Sequence, residues 1–92
     1  MPARIREIVY DDRFLADLYS LEGNPQIADE FLEGAEYVLS REPRLGTQIF
    51  HGSPVWFLPI ADILRLPPLS LFYTFDDHHV FFLSLKISHP GA

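Results

Sequence analysis

Four histidines, His51, His78, His79 and His89, and two cations, Arg65 and Lys86, carry the acid–base and charge chemistry of the second half of this 92-residue chain. Imidazole titrates near neutral pH, so each histidine is a candidate proton donor or acceptor. His89 stands just past the end of an apolar run, where functional groups are often displayed. The run Asp76-Asp77-His78-His79 has the side-chain types of a metal site, but its spacing argues against one. In a strand only alternate residues share a face, so at most Asp77 and His79 converge, and a metal needs further ligands and oriented outer partners. Turn residues are the simpler reading. Ser70, Ser84 and Ser88 sit in apolar strands with no base placed to activate them, and read as ordinary strand serines. There is no glycine-rich phosphate loop and no paired-glycine nucleotide fingerprint, so no cofactor is expected. With no cysteine, thiolate chemistry, disulfides and cysteine zinc sites are excluded.

The length predicts one domain over residues 1–92. Hydrophobic residues make up 48% and charged ones 22%, an ordinary globular balance. The net charge of −6 works against tight direct binding to nucleic acid, because phosphate contacts need Lys and Arg. Residues 1–44 hold ten carboxylates against five arginines, whereas residues 45–92 hold three against two cations. The first half is therefore acidic, and the second would turn positive if its histidines protonated. No basic segment leading into a long apolar run begins the chain, and no apolar run is long enough to span a bilayer. The expectation is a soluble cytoplasmic protein without a membrane partner.

The elements that must position these groups centre on LSLFYTFDDHHVFFLSLKISH, residues 69–89. Aromatic and aliphatic residues alternate on both sides of four polar ones, which predicts two strands joined by a tight turn. Both faces are apolar, so this hairpin belongs at the centre of a sheet with helices against it. Upstream, Arg4 to Tyr10 predicts an edge strand, its charged residues suiting the exposed side. Asp11 or Asp12 caps a helix whose Phe14, Leu15, Leu18 and Leu21 share one face and which Gly23 stops. Asn24-Pro25 opens a second helix with an apolar stripe from Ile27 to Leu39. Its acidic run, Asp29, Glu30, Glu33 and Glu36, reads as a solvated face, with a docking surface for a basic partner as the rival reading. The two helices should pair as a hairpin. Pro43 ends the second helix, and Gly46 is expected to take an unusual backbone. Val55 to Ile60 predicts a strand, with Pro59 marking an end, an edge or a bulge. The apolar run Val55 to Leu66 is expected to leave a surface patch.

This order resembles the RelE/ParE superfamily of toxins from type II toxin–antitoxin systems. The matching pieces are IREIVYDDRFLADLYSL, the turn EPRLG, Gly52 before a strand, and the tyrosine-bearing hairpin of residues 69–89. The resemblance spans almost the whole chain and implies an α+β domain. Its order is strand–helix–helix–strand–strand–strand, with a helical hairpin on a mostly antiparallel sheet. It also implies a cognate antitoxin that holds the toxin silent. In this family one branch cleaves mRNA on the ribosome through Arg, Lys, His or Tyr on the sheet, and the other inhibits DNA gyrase. Here the position usually held by Arg is Ser70, the strand Val55 to Ile60 has no charge, and His89-Pro90 stands where Arg is frequent. An RNA-cleaving reading would rest on His89 as base with Arg65 or Lys86 on the phosphate, His51 being a further candidate and Tyr73 being expected in the core. Losing one transition-state donor typically costs about 2.7–4 kcal/mol, so losing several argues against efficient cleavage. The expectation is therefore a gyrase-directed or other protein-contact toxin. The alternatives are a ribosome-dependent endoribonuclease and a degenerate fold kept as an interaction module.

Overall fold

A computed structural model describes residues 5–20, 25–60 and 69–87. The chain opens with strand β1 (Glu7–Tyr10), then helix α1 (Asp12–Ser20) and helix α2 (Pro25–Arg41). A single 3-10 turn, Pro43–Leu45, leads to β2 (Thr47–Gln48), β3 (Trp56–Ile60), β4 (Leu69–Phe75) and β5 (His79–Ile87). The sheet order is β1-β5-β4-β3-β2. β5 runs parallel to β1, and the remaining pairs are antiparallel. The fold is thus α+β with a mostly antiparallel sheet, and the β4–β5 hairpin lies inside it, as its two-sided apolar pattern demands.

Alternation along β4 sends Leu69, Leu71 and Tyr73 to the helix side, all three essentially inaccessible to solvent. They join Val80, Phe82 and Leu85 of β5, Phe14 of α1, and Ala35 and Leu39 of α2 in one core. Tyr10, Phe14 and Phe82 form an aromatic trio with ring centroids 5.3–5.9 Å apart, which locks the β1–α1 corner onto β5. Asp11 is the cap of α1: its carboxylate accepts the Arg13 amide at 3.3 Å, and its carbonyl accepts the Leu15 amide at 3.1 Å. Gly23 and Asn24 lie outside the described residues.

Two expectations change. The sheet has a fifth strand, because Thr47 and Gln48 pair with Phe57 and Trp56. Two polar residues show no strand pattern of their own; β3 imposes it. Gly46 has an ordinary extended backbone (φ −75, ψ −164), so its role is spatial. A Cβ there would collide with the Tyr73 hydroxyl and stand 2.5 Å from the Phe57 carbonyl oxygen. Gly52 is the glycine with a left-handed backbone, φ 85, in the β2–β3 turn. Of the expected apolar patch, Val55 to Leu58 are half-buried, with Trp56 and Leu58 packing on the core. Among the described residues, the exposed large apolar side chains are those of Leu45, Ile49 and Phe50 and of Ile5, Val9, Tyr19 and Tyr37. Pro59 falls where β2 no longer flanks β3, which makes that end of β3 an edge, as a strand proline requires. The Ile60 side chain and residues 61–66, the rest of the expected patch, are outside the described residues.

Candidate functional site

If one side of the sheet faces the helices, the other carries the side chains in between. The registers set Val9 beside Phe81 and Phe81 beside Thr74. They also set Phe57 beside Phe72 and Phe72 beside Ser84, and Pro59 beside Ser70 and Ser70 beside Lys86. A bulge makes this possible: Tyr73 pairs with Phe82 and Phe72 with Ser84, leaving Leu83 as the extra residue of β5. The bulge returns Leu85 to the core and Lys86 to the outer face. That face is aromatic at its centre, with the Phe57 and Phe72 rings 6.1 Å apart.

Of the residues expected to do chemistry, Lys86 is on this face. Its ammonium is half-exposed, 3.9 Å from the Asp17 carboxylate. The same Asp17 oxygen accepts the Leu85 amide at 3.0 Å. β1 stops pairing at Phe82, so α1 supplies through Asp17 the acceptor that the edge of β5 next needs. His89 and Arg65 lie outside the described residues, and so does Ser88. His51 is exposed in the β2–β3 turn.

His79 opens β5, not the turn, at the opposite end from Lys86. Its Nδ1 lies 3.2 Å from Asp76 Oδ1 and its Nε2 3.7 Å from Glu7 Oε2. Asp76 is a turn residue in the full sense: Oδ1 accepts the His78 and His79 amides, each at 2.7 Å. The His78 amide, helped by the amide and ring of His79, holds the Asp76 carboxyl below its ordinary range. Among the described residues no three His, Asp or Glu side chains are grouped to hold a metal. Ribose attack needs a base and a cation at one phosphate. His79 and Lys86 are separated by seven residues of extended strand, roughly 20 Å, too far to share one.

A second feature, not read from the sequence, lies on the helix side. Arg6 and Arg44 both approach the Phe75 ring, 5.7 and 5.5 Å from its centroid, and Arg41 covers the Tyr37 ring at 3.9 Å. Arg6 Nε donates to the Asp76 carbonyl at 2.7 Å, and its amide donates to the Ser40 carbonyl at 2.8 Å. Arg41 Nη1 donates to the Tyr37 carbonyl at 3.1 Å. The helical i, i+4 spacing of Tyr37 and Arg41 was the one signal available for it.

No family model matches the sequence, and no curated protein matches it. Solved structures do. The RelBE2 toxin–antitoxin complex of Mycobacterium tuberculosis holds a chain 25% identical, with TM-score 0.69 over 91% of this chain and 92% of that one. A mutant of the E. coli toxin RelE in the free state superposes at TM-score 0.68, with 18% identity over 95% of this chain and 87% of that one. This is the RelE/ParE toxin fold. A chain of the chromosomal ParDE system of P. aeruginosa shares it at TM-score 0.60 and 14% identity, over 95% of this chain and all of that one. In this chain the RelE/ParE fold carries an aromatic outer face, with Phe57 and Phe72 at its centre. Among the described residues, no helix is long and apolar enough to cross a membrane.

Proposed function

We propose that this chain is the toxin of a type II toxin–antitoxin pair, that it acts by protein–protein contact in the manner of the gyrase-directed branch, and that a cognate antitoxin neutralises it in the cytoplasm. The observation that carries this reading is the outer face of the sheet. Phe57, Phe72 and Phe81 occupy its middle, Pro59 and Ser70 flank them, and Lys86 is its cation among the described residues. Such a face suits burial against another protein better than contact with a phosphate chain. The M. tuberculosis and E. coli RelBE structures are complexes of toxin with antitoxin, which supports an antitoxin partner here.

One observation favours a second reading. The RelE structures superpose more closely than the ParE one, at TM-scores of 0.69 and 0.68 against 0.60. A ribosome-dependent endoribonuclease would then use His89 as base and Arg65 or Lys86 on the phosphate. Two assays on the purified chain decide between them: supercoiling by gyrase, and cleavage of mRNA on translating ribosomes. Inhibited supercoiling with intact mRNA is the expected result. Codon-position cuts that vanish in His89→Ala would replace it with the nuclease. Absence of growth arrest on induction would leave the fold as an interaction module.

A further inference from the structure

The two guanidiniums at the Phe75 ring belong to neither reading of the outer face. Arg6 stands just before β1 and Arg44 in the turn after α2, yet both lie over one ring, 5.7 and 5.5 Å from its centroid. Neither has a carboxylate within 4.0 Å among the described residues, although the chain carries 13 acidic residues against 7 basic ones. The carboxylate of Asp76, the residue after Phe75, is committed to the His78 and His79 amides at 2.7 Å each. The ring attracts each cation through its quadrupole but neutralises neither. Two like charges are thus gathered on one ring without a counter-charge, and they repel each other. Their tethers differ. Arg6 is fixed, because its Nε donates to the Asp76 carbonyl at 2.7 Å, which leaves its terminal nitrogens as donors. Arg44 is exposed, and its side chain makes no hydrogen bond or ion pair among the described residues.

We propose that Arg6 and Arg44 form a binding site for a phosphate dianion, taken either as the free ion or as the monoester of a nucleotide. Arg6 supplies preset donors, which lowers the cost of capture, and Arg44 turns from the ring to close on the ligand. Charge and shape choose among anions. A carboxylate offers two coplanar oxygens, which the fork of one arginine already satisfies. A phosphate monoester offers three oxygens of a tetrahedron, so guanidiniums arriving from two different elements reach different oxygens, and its double charge balances theirs. A phosphodiester link carries a single charge and leaves one of the two cations unbalanced. The site lies on the helix side and is independent of what the outer face docks on. It also has a built-in reporter: the chain's one tryptophan, Trp56, has its ring 5.6 Å from that of Phe75.

The test is a titration of the full chain at constant ionic strength, read by Trp56 emission and by NMR of the arginine side-chain N–H groups. The probes are inorganic phosphate, uridine 5′-monophosphate, dimethyl phosphate and hexauridylate. The first two are expected to shift Arg6 and Arg44 and to change Trp56 emission, and to bind at least about tenfold more tightly than dimethyl phosphate. Equal affinity for those two assigns the site to the phosphate group alone; tighter binding of the nucleotide assigns it to the monoester. Arg44→Gln, at an exposed position, should weaken binding at least about tenfold while the melting curve stays put. Arg41→Gln, on the Tyr37 ring, should leave binding unchanged. Arg6→Gln also gives up the bond to the Asp76 carbonyl, so Arg44→Gln carries the test if that variant fails to fold. No response to inorganic phosphate, an equal response to dimethyl phosphate, or full affinity in Arg44→Gln would overturn the proposal. Hexauridylate binding more tightly than the monoester would overturn it in favour of a surface for a nucleic-acid strand. Growth arrest is scored separately: its absence defeats the toxin reading, whereas the titration alone judges the arginine pair.

Discussion

The Tyr73 hydroxyl donates to the Pro43 carbonyl at 2.6 Å and accepts the Gly46 amide at 3.1 Å, joining the centre of the sheet to the turn that follows α2. Tyr73 is fully buried, so the two backbone groups have no water to replace it. Tyr73→Phe is expected to cost about 1–3 kcal/mol in urea unfolding, the range for leaving buried polar groups unpaired. Gly46→Ala should cost at least as much, because the new Cβ meets the hydroxyl and a backbone carbonyl together. Burial raises the Tyr73 pKa above the ordinary 10.0, against the lesser opposing effect of the Gly46 amide. The folded chain then keeps its proton where the unfolded chain has lost it. Stability is expected to fall as pH rises above 10.0, and Tyr73→Phe to remove that part of the fall.

Asp17 serves two partners on β5, the Leu85 amide and the Lys86 ammonium, and the two are not equal. The amide bond is the shorter and more buried; the ion pair is long and half-exposed. Asp17→Ala should cost about 1–2 kcal/mol and speed hydrogen exchange at the Leu85 amide. Lys86→Ala should change stability by less than about 1 kcal/mol. Equal effects of the two substitutions would show that the ion pair, not the edge bond, holds α1.

The Asp76 carboxylate organises the hairpin turn through the His78 and His79 amides, and those bonds depress its pKa. A depressed carboxyl contributes stability that is present above the ordinary value of 3.8 and is lost as pH falls through the lower, folded value. Amide exchange at His78 and His79 should therefore accelerate below about pH 4, an estimate set by the unperturbed aspartate range. Asp76→Asn should flatten that profile. A profile unchanged in Asp76→Asn would assign the acid sensitivity elsewhere.

The outer-face aromatics separate fold from action. Phe57 and Phe72 are half-buried and face away from the core. Phe57→Ser together with Phe72→Ser should leave the chain folded, at a cost well below the about 3–5 kcal/mol expected of Phe14→Ala in the core. The same pair should abolish growth arrest if the face docks on a protein target. Arrest that survives, measured beside a matched melting curve, would remove the face from the proposal.

Much of the scaffold is legible in the order of residues. The alternation of Leu69, Leu71 and Tyr73, a cap at Asp11 or Asp12 and the break at Pro43 are local signals. Each element reads its own period or its own dihedral restriction, whatever lies elsewhere in the chain. So is the poverty of cations between Val55 and Ile60, which is a matter of composition.

What only the tertiary structure decided is whatever depends on a partner distant in sequence. β2 is a strand because β3 pairs with it, and Gly46 is needed because Tyr73, 27 residues on, fills the space where a Cβ would stand. The bulge that leaves Leu83 unpaired between Phe82 and Ser84, and thereby turns Lys86 to the outer face, appears only in the register of β5 on β4. The meeting of Arg6 and Arg44 at the Phe75 ring is likewise invisible in the chain, since it takes the closure of β1 against the end of α2 to bring them together. Local sequence sets which conformations a segment prefers. Long-range packing sets which side chains meet, and in this protein the chemistry follows from who meets whom.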